Sequence, residues 1–150
     1  MGAFLDFHLG EKEGWKAPIH VAAINNKAAA LGTLLLLGAW VDLPDPLGLT
    51  PLFHASTSGY TECVTKLLSY RASPDVYDES GKGPLHQACM NNAYEIVQLL
   101  IDHGANMNAV NVAGNTPLHI AATRNAVKSA NALLMRGADR DLPNRTGQTP

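Results

Sequence analysis

Proline recurs at residues 18, 51, 84, 117 and 150, each 33 positions after the last, with no insertion anywhere in the run. A fixed period of that length marks an array of stacked supersecondary units rather than one irregular domain. Other residues keep the same step. One position after the first four prolines lie Ile19, Leu52, Leu85 and Leu118, and four positions after lie Ala22, Ala55, Ala88 and Ala121. Apolar pairs follow at Leu34-Leu35, Leu67-Leu68, Leu100-Ile101 and Leu133-Leu134, and then Asp42, Asp75, Asn108 and Asp141.

Each unit has a physical reading as two helices and a turn. Thr50, Thr116 and Thr149 precede a proline, placing a capping hydroxyl before a residue whose missing N–H costs nothing at a helix start. The first helix stops at Asn26, Gly59, Asn92 and Asn125, residue types that accept positive φ, so a tight left-handed turn is expected there. The second helix spaces its apolar residues by three and four, as in Tyr94, Val97, Leu100 and Ile101, which buries one face. Gly38, Gly104 and Gly137 end it. Arg71 holds that slot in the second unit, where strain or a different turn is expected. Between units, stretches such as NAVNVAGN read as projecting β-turns, or fingers.

Composition removes several classes of function. The net charge of −2 and the lack of a Lys/Arg cluster argue against nucleic-acid binding. No apolar run reaches the roughly 18 residues of a membrane span, and the first residues lack the pattern of a secretory signal. Two cysteines, Cys63 and Cys89, are too few for a disulfide framework and suit a reducing cytosol.

The histidines are the obvious candidates for chemistry, and their spacing argues against it. His20, His86 and His119 share one register, while in the second unit Phe53 takes that slot and His54 follows it. Helices one layer apart stand roughly 10 Å from each other, too far for one zinc ion with bonds of about 2 Å. Neither cysteine has a base and an orienting group in view, and no phosphate-binding loop or metal motif occurs. The reading is therefore a non-enzyme without catalytic residues, cofactor or metal.

The period, the phrase Thr116-Pro117-Leu118-His119 and the ending Gly137-Ala138-Asp139 resemble the ankyrin repeat across nearly the whole chain. The resemblance implies an all-α solenoid of helix-turn-helix units with fingers set across the stack and a concave surface. It implies repeats over about 12–44, 45–77, 78–110 and 111–143, with a fifth opening at 144–150. Ending where a helix should start, the chain is expected to be a piece of a larger protein. The histidine of the repeated phrase becomes structural, bonding within its turn and to the next unit.

Carried over by register, the family's partner-contacting positions are the finger residues Asp45, Leu47, Tyr77, Glu79, Lys82, Val110 and Val112. The end of the first helix adds Thr57, Ser58, Met90, Asn91 and Arg124. His54, in the register of variable concave residues, is a further candidate. For each, plain solvent exposure is the alternative. The first repeat carries Trp15 and Trp40 in unusual slots and a second helix, KAAALGTLLLL, with no polar face. Either an upstream domain or residues 1–11, with Phe4, Leu5 and Phe7, would cover it.

A narrower resemblance lies in LTPLFHASTSGYTECVTKLLSYRAS, with its shifted histidine and missing glycine, followed by HQAC and GNTPLHI. These features are similar to the ankyrin region of the Shank scaffolds of the postsynaptic density. That resemblance implies a cytoplasmic, multidomain scaffold, a Ras-like fold packed upstream, and spectrin-type cytoskeletal partners. The alternative kept beside it is the ankyrin-repeat regulatory domain of an ion channel or signalling enzyme.

Overall fold

A computed structural model of the chain describes residues 16–150. The described residues form eight helices and no strand: α1 Pro18–Ile24, α2 Ala28–Leu36, α3 Pro51–Ser58, α4 Thr61–Ser69, α5 Pro84–Met90, α6 Tyr94–Asp102, α7 Pro117–Thr123 and α8 Val127–Met135. The odd helices stack on one another as an inner layer and the even helices as an outer layer. No helix among these residues is long and apolar enough to cross a membrane.

The repeated residues explain the pairing. Each inner helix starts at its proline, and Thr50 and Thr116 accept the N–H groups of Phe53 and His119. It ends in a residue at positive φ: Asn26 (54°), Gly59 (76°), Asn92 (53°) and Asn125 (54°). The residue after that turn donates back to the repeated alanine, as Lys27 N–H does to Ala22 O (2.8 Å) and Ala126 N–H to Ala121 O (2.8 Å). The alanine is buried in every repeat because inner helices meet there with no room for a larger side chain.

The outer helices close alike in all four repeats, and at Arg71 the first of the two expected outcomes, strain, is the one found. Ala39, Ala72, Ala105 and Ala138 each donate N–H to a carbonyl five residues back, at 3.0 or 3.1 Å. Arg71 does not force a different turn; it adopts the left-handed conformation itself, with φ 62° against 85° to 92° for the glycines. The strain foreseen in the sequence is carried in an otherwise unchanged turn.

The core runs the length of the stack through Ile19, Leu31, Leu52, Leu67, Leu100 and Leu133, all fully buried. The residues at 42, 75 and 108, noticed for their spacing alone, clip neighbouring units together. Asp42 accepts the Ser73 N–H (3.0 Å), Asp75 the Asn106 N–H (3.0 Å) and Asn108 the Asp139 N–H (2.9 Å). At the first repeat the apolar outer helix leaves Leu36, Leu37 and Trp40 exposed. Trp15, Phe4, Leu5 and Phe7 lie outside the described residues.

Candidate functional site

The fingers are built on one template. The first residue of each turn lends a side-chain oxygen to two N–H groups ahead of it. Asp45 accepts from Leu47 (2.9 Å) and Leu49 (3.0 Å), Asp78 from Ser80 and Lys82 (both 2.9 Å), and Asn111 from Ala113 and Asn115 (both 3.0 Å). Burial alone would raise the Asp45 and Asp78 carboxyls, but these hydrogen bonds outweigh it and hold both below the usual carboxylate range.

The histidines join fingers to helices. His86 Nδ1 accepts the Gly83 N–H (3.2 Å) and its Nε2 meets Asn115 O (3.1 Å) on the next finger; His119 does the same with Thr116 (3.1 Å) and Gln148 (2.9 Å). His20 Nε2 bonds to Leu43 O at 2.7 Å. Burial lowers the His86 pKa, which favours the neutral ring that accepts on one nitrogen and donates on the other. Among the described residues no three His, Cys, Asp or Glu side chains are grouped to hold a metal. Burial raises both thiols, Cys89 to about 12, leaving little thiolate.

Several residues expected to face a partner also make bonds within the fold. Asp45 is 6% exposed, and its second oxygen lies 2.9 Å from His54 Nε2. That bond occupies His54 as well, so the pair braces the first finger rather than presenting a surface. Tyr77 donates its hydroxyl to Asp75 (3.2 Å), and its ring lies so close to Gly83 that a Cβ there would stand 2.9 Å away. Burial, with the Asp75 carboxylate beside it, pushes the phenol up to about 12. Asn91 Nδ2 donates to Thr57 O (2.6 Å), tying two inner helices together at their exposed ends, while Ser58 beside them is exposed.

The others gather around two depressions. A groove of about 430 Å³ lies where the second and third fingers meet α5 and α7, and Lys82, Met90, Val112, Asn115 and Arg124 line it. Ile120 lines it too, and sequence reasoning passed it over. It stands two repeats on from His54, so the concave register recognised for His54 would have found it. A smaller cleft of about 190 Å³ between the first and second fingers is lined by Leu47, Leu49, Asp78, Glu79 and Ser80. Val110 is exposed and lines neither.

The two depressions differ because the fingers do not stack evenly. Val112 N–H donates to Ser80 O (2.9 Å) and Arg145 N–H to Ala113 O (3.0 Å), joining the second, third and fourth fingers. No such backbone bond joins the first finger to the second among the described residues.

A family profile described as ankyrin repeats (3 copies) matches residues 4–78 and 65–144. Among curated proteins, the chain is similar to the human SH3 and multiple ankyrin repeat domains protein 2, with 45% identity over 73 residues. The match takes in 48% of this chain and 4% of that relative.

Proposed function

Because the chain belongs to the ankyrin-repeat family, whose repeats are protein-interaction modules, we propose that it is a non-catalytic binding module that holds a partner protein in the groove between its second and third fingers. The observation that carries this reading is the groove itself. Lys82, Met90, Val112, Ile120 and Arg124 converge on it from two fingers and two helices. None of these side chains supplies a finger, cap or inter-repeat hydrogen bond, unlike Asp45, His54 and Tyr77. An interface rich in Met and Arg beside apolar contacts is a favourable composition for a binding surface.

Similarity to the Shank relative supports a finer reading: a module of a cytoplasmic, multidomain scaffold at the postsynaptic density, with spectrin-type cytoskeletal proteins as partners. The same groove would equally serve a regulatory domain of a channel or signalling enzyme. A second contact is supported by the first repeat, where Pro18, Val21, Ala30 and Leu34 line an apolar depression of about 780 Å³. It suits an upstream Ras-like domain, with the exposed Trp40 of the same repeat as a further candidate contact.

Affinity capture from neuronal extract tests the main reading, with the parent chain beside a Met90→Ala/Val112→Ala variant. Spectrin-like or synaptic proteins retained by the parent and lost from the variant support it. Equal retention by both overturns it.

A further inference from the structure

We propose that the groove between the second and third fingers takes an acidic segment of another protein, in which an apolar side chain is flanked by carboxylates. The inference rests on the reading of that groove as the partner site and adds the chemistry of the partner. Its floor is apolar, with Met90 and Ile120 half-buried and Val112 open at the finger. Its two cations stand on different elements, Lys82 on the second finger and Arg124 at the C-terminal end of α7.

Both cations are available. Among the described residues, neither Lys82 nor Arg124 forms an ion pair within 4 Å, and no carboxylate lines the groove. Asp78 feels the Lys82 charge, but one of its oxygens is spent on the Ser80 and Lys82 N–H groups and the Ser80 hydroxyl.

The acids gather on the other side of the second finger, where Asp78 and Glu79 line the smaller cleft. A long polyanion such as nucleic acid would meet that acidic cleft next to the groove. A segment with single carboxylates on either side of one apolar residue matches two separated cations over an apolar floor. The planar Arg124 guanidinium suits a carboxylate in particular.

The test is fluorescence anisotropy on the whole chain with three labelled peptides: leucine flanked by glutamates, the same peptide with glutamine for glutamate, and the same with lysine. The glutamate peptide should bind best and weaken as salt rises. Lys82→Glu/Arg124→Glu should lose about tenfold or more in affinity for it and gain affinity for the lysine peptide, while keeping the helical circular dichroism of the parent chain. No binding of the glutamate peptide, equal binding of the glutamine peptide, or an unaltered preference in the charge-reversed variant would overturn the proposal. Comparing captures separates the two readings. If Met90→Ala/Val112→Ala loses partners that the charge-reversed variant keeps, the groove stands as a partner site and the acidic segment falls. If both variants keep every partner, the groove itself falls.

Discussion

His54 Nε2 lies 2.9 Å from Asp45 Oδ2, and through that bond the second repeat braces the first finger with a side chain one place removed from the usual histidine. In the third and fourth repeats the brace runs forward, from His86 and His119 to the following finger. In the second, Phe53 fills that slot and is buried, so no such bond leaves it for the next finger. His54 reaches back to its own finger instead.

Asp45 therefore carries a pH dependence whose sign is fixed. Its carboxyl sits below the ordinary aspartate value of 3.8 in the folded chain. The stability it adds is fully present above its unfolded pKa and is lost as pH falls through the lower folded value. Asp45→Asn should lower the thermal midpoint at neutral pH by an amount equivalent to about 1–3 kcal/mol. The gap between the two proteins should close as the solution is acidified below the carboxylate range. Thermal melts across pH check this, and a gap independent of pH would remove the charge from the explanation.

Arg71 makes the opposite prediction, a gain. The turn it occupies is the turn that glycine makes in the other three repeats, and only its side chain opposes φ 62°. Arg71→Gly should relieve about 1–2 kcal/mol of strain, offset in part by the greater freedom of glycine in the unfolded chain. The expected net gain is about 1 kcal/mol, read as a higher midpoint in denaturant with unchanged slope. A lower midpoint would mean that the arginine side chain contributes more than its backbone costs.

Leu118 lies one residue inside α7 and is 4% exposed, packed where the inner layer continues from repeat to repeat. Leu118→Ala should cost about 2–5 kcal/mol, from lost burial and the cavity left behind. Chemical denaturation measures it. A loss well below that range would place Leu118 outside the core its period assigns.

Periodicity made the fold legible because the period fixes which residues meet. The prolines mark the inner helix starts, the asparagines the left-handed turns, and Leu52 and Leu118 the core by position alone. The candidate surface was harder to read, since a register says which residues the fold leaves exposed but not which neighbour each side chain meets. Asp45 and Tyr77 sit in finger positions, yet one is consumed by Leu47, Leu49 and His54 and the other by Asp75 and Gly83. The uneven stacking of the fingers left no mark in the period at all, because Gly48, Gly81 and Gly114 look identical in sequence.

Those glycines supply the last prediction. Gly48 and Gly114 have nearly the same φ, 76° and 77°, so alanine meets the same backbone penalty at either, about 1–2 kcal/mol. Their surroundings differ. A Cβ on Gly48 would have nothing within 4 Å, whereas one on Gly114 would stand 2.8 Å from Arg145 N, the atom that donates to Ala113 O. That contact is with backbone, so the fourth finger must shift and its hydrogen bond must lengthen or break. Gly114→Ala should therefore cost about 1 kcal/mol more than Gly48→Ala and should speed amide exchange at Arg145, while Gly48→Ala leaves that amide unchanged. Equal losses in the two variants, with Arg145 exchanging as fast in the parent chain as in either, would show that the third and fourth fingers are not joined, and the even spacing implied by the period would extend to all four.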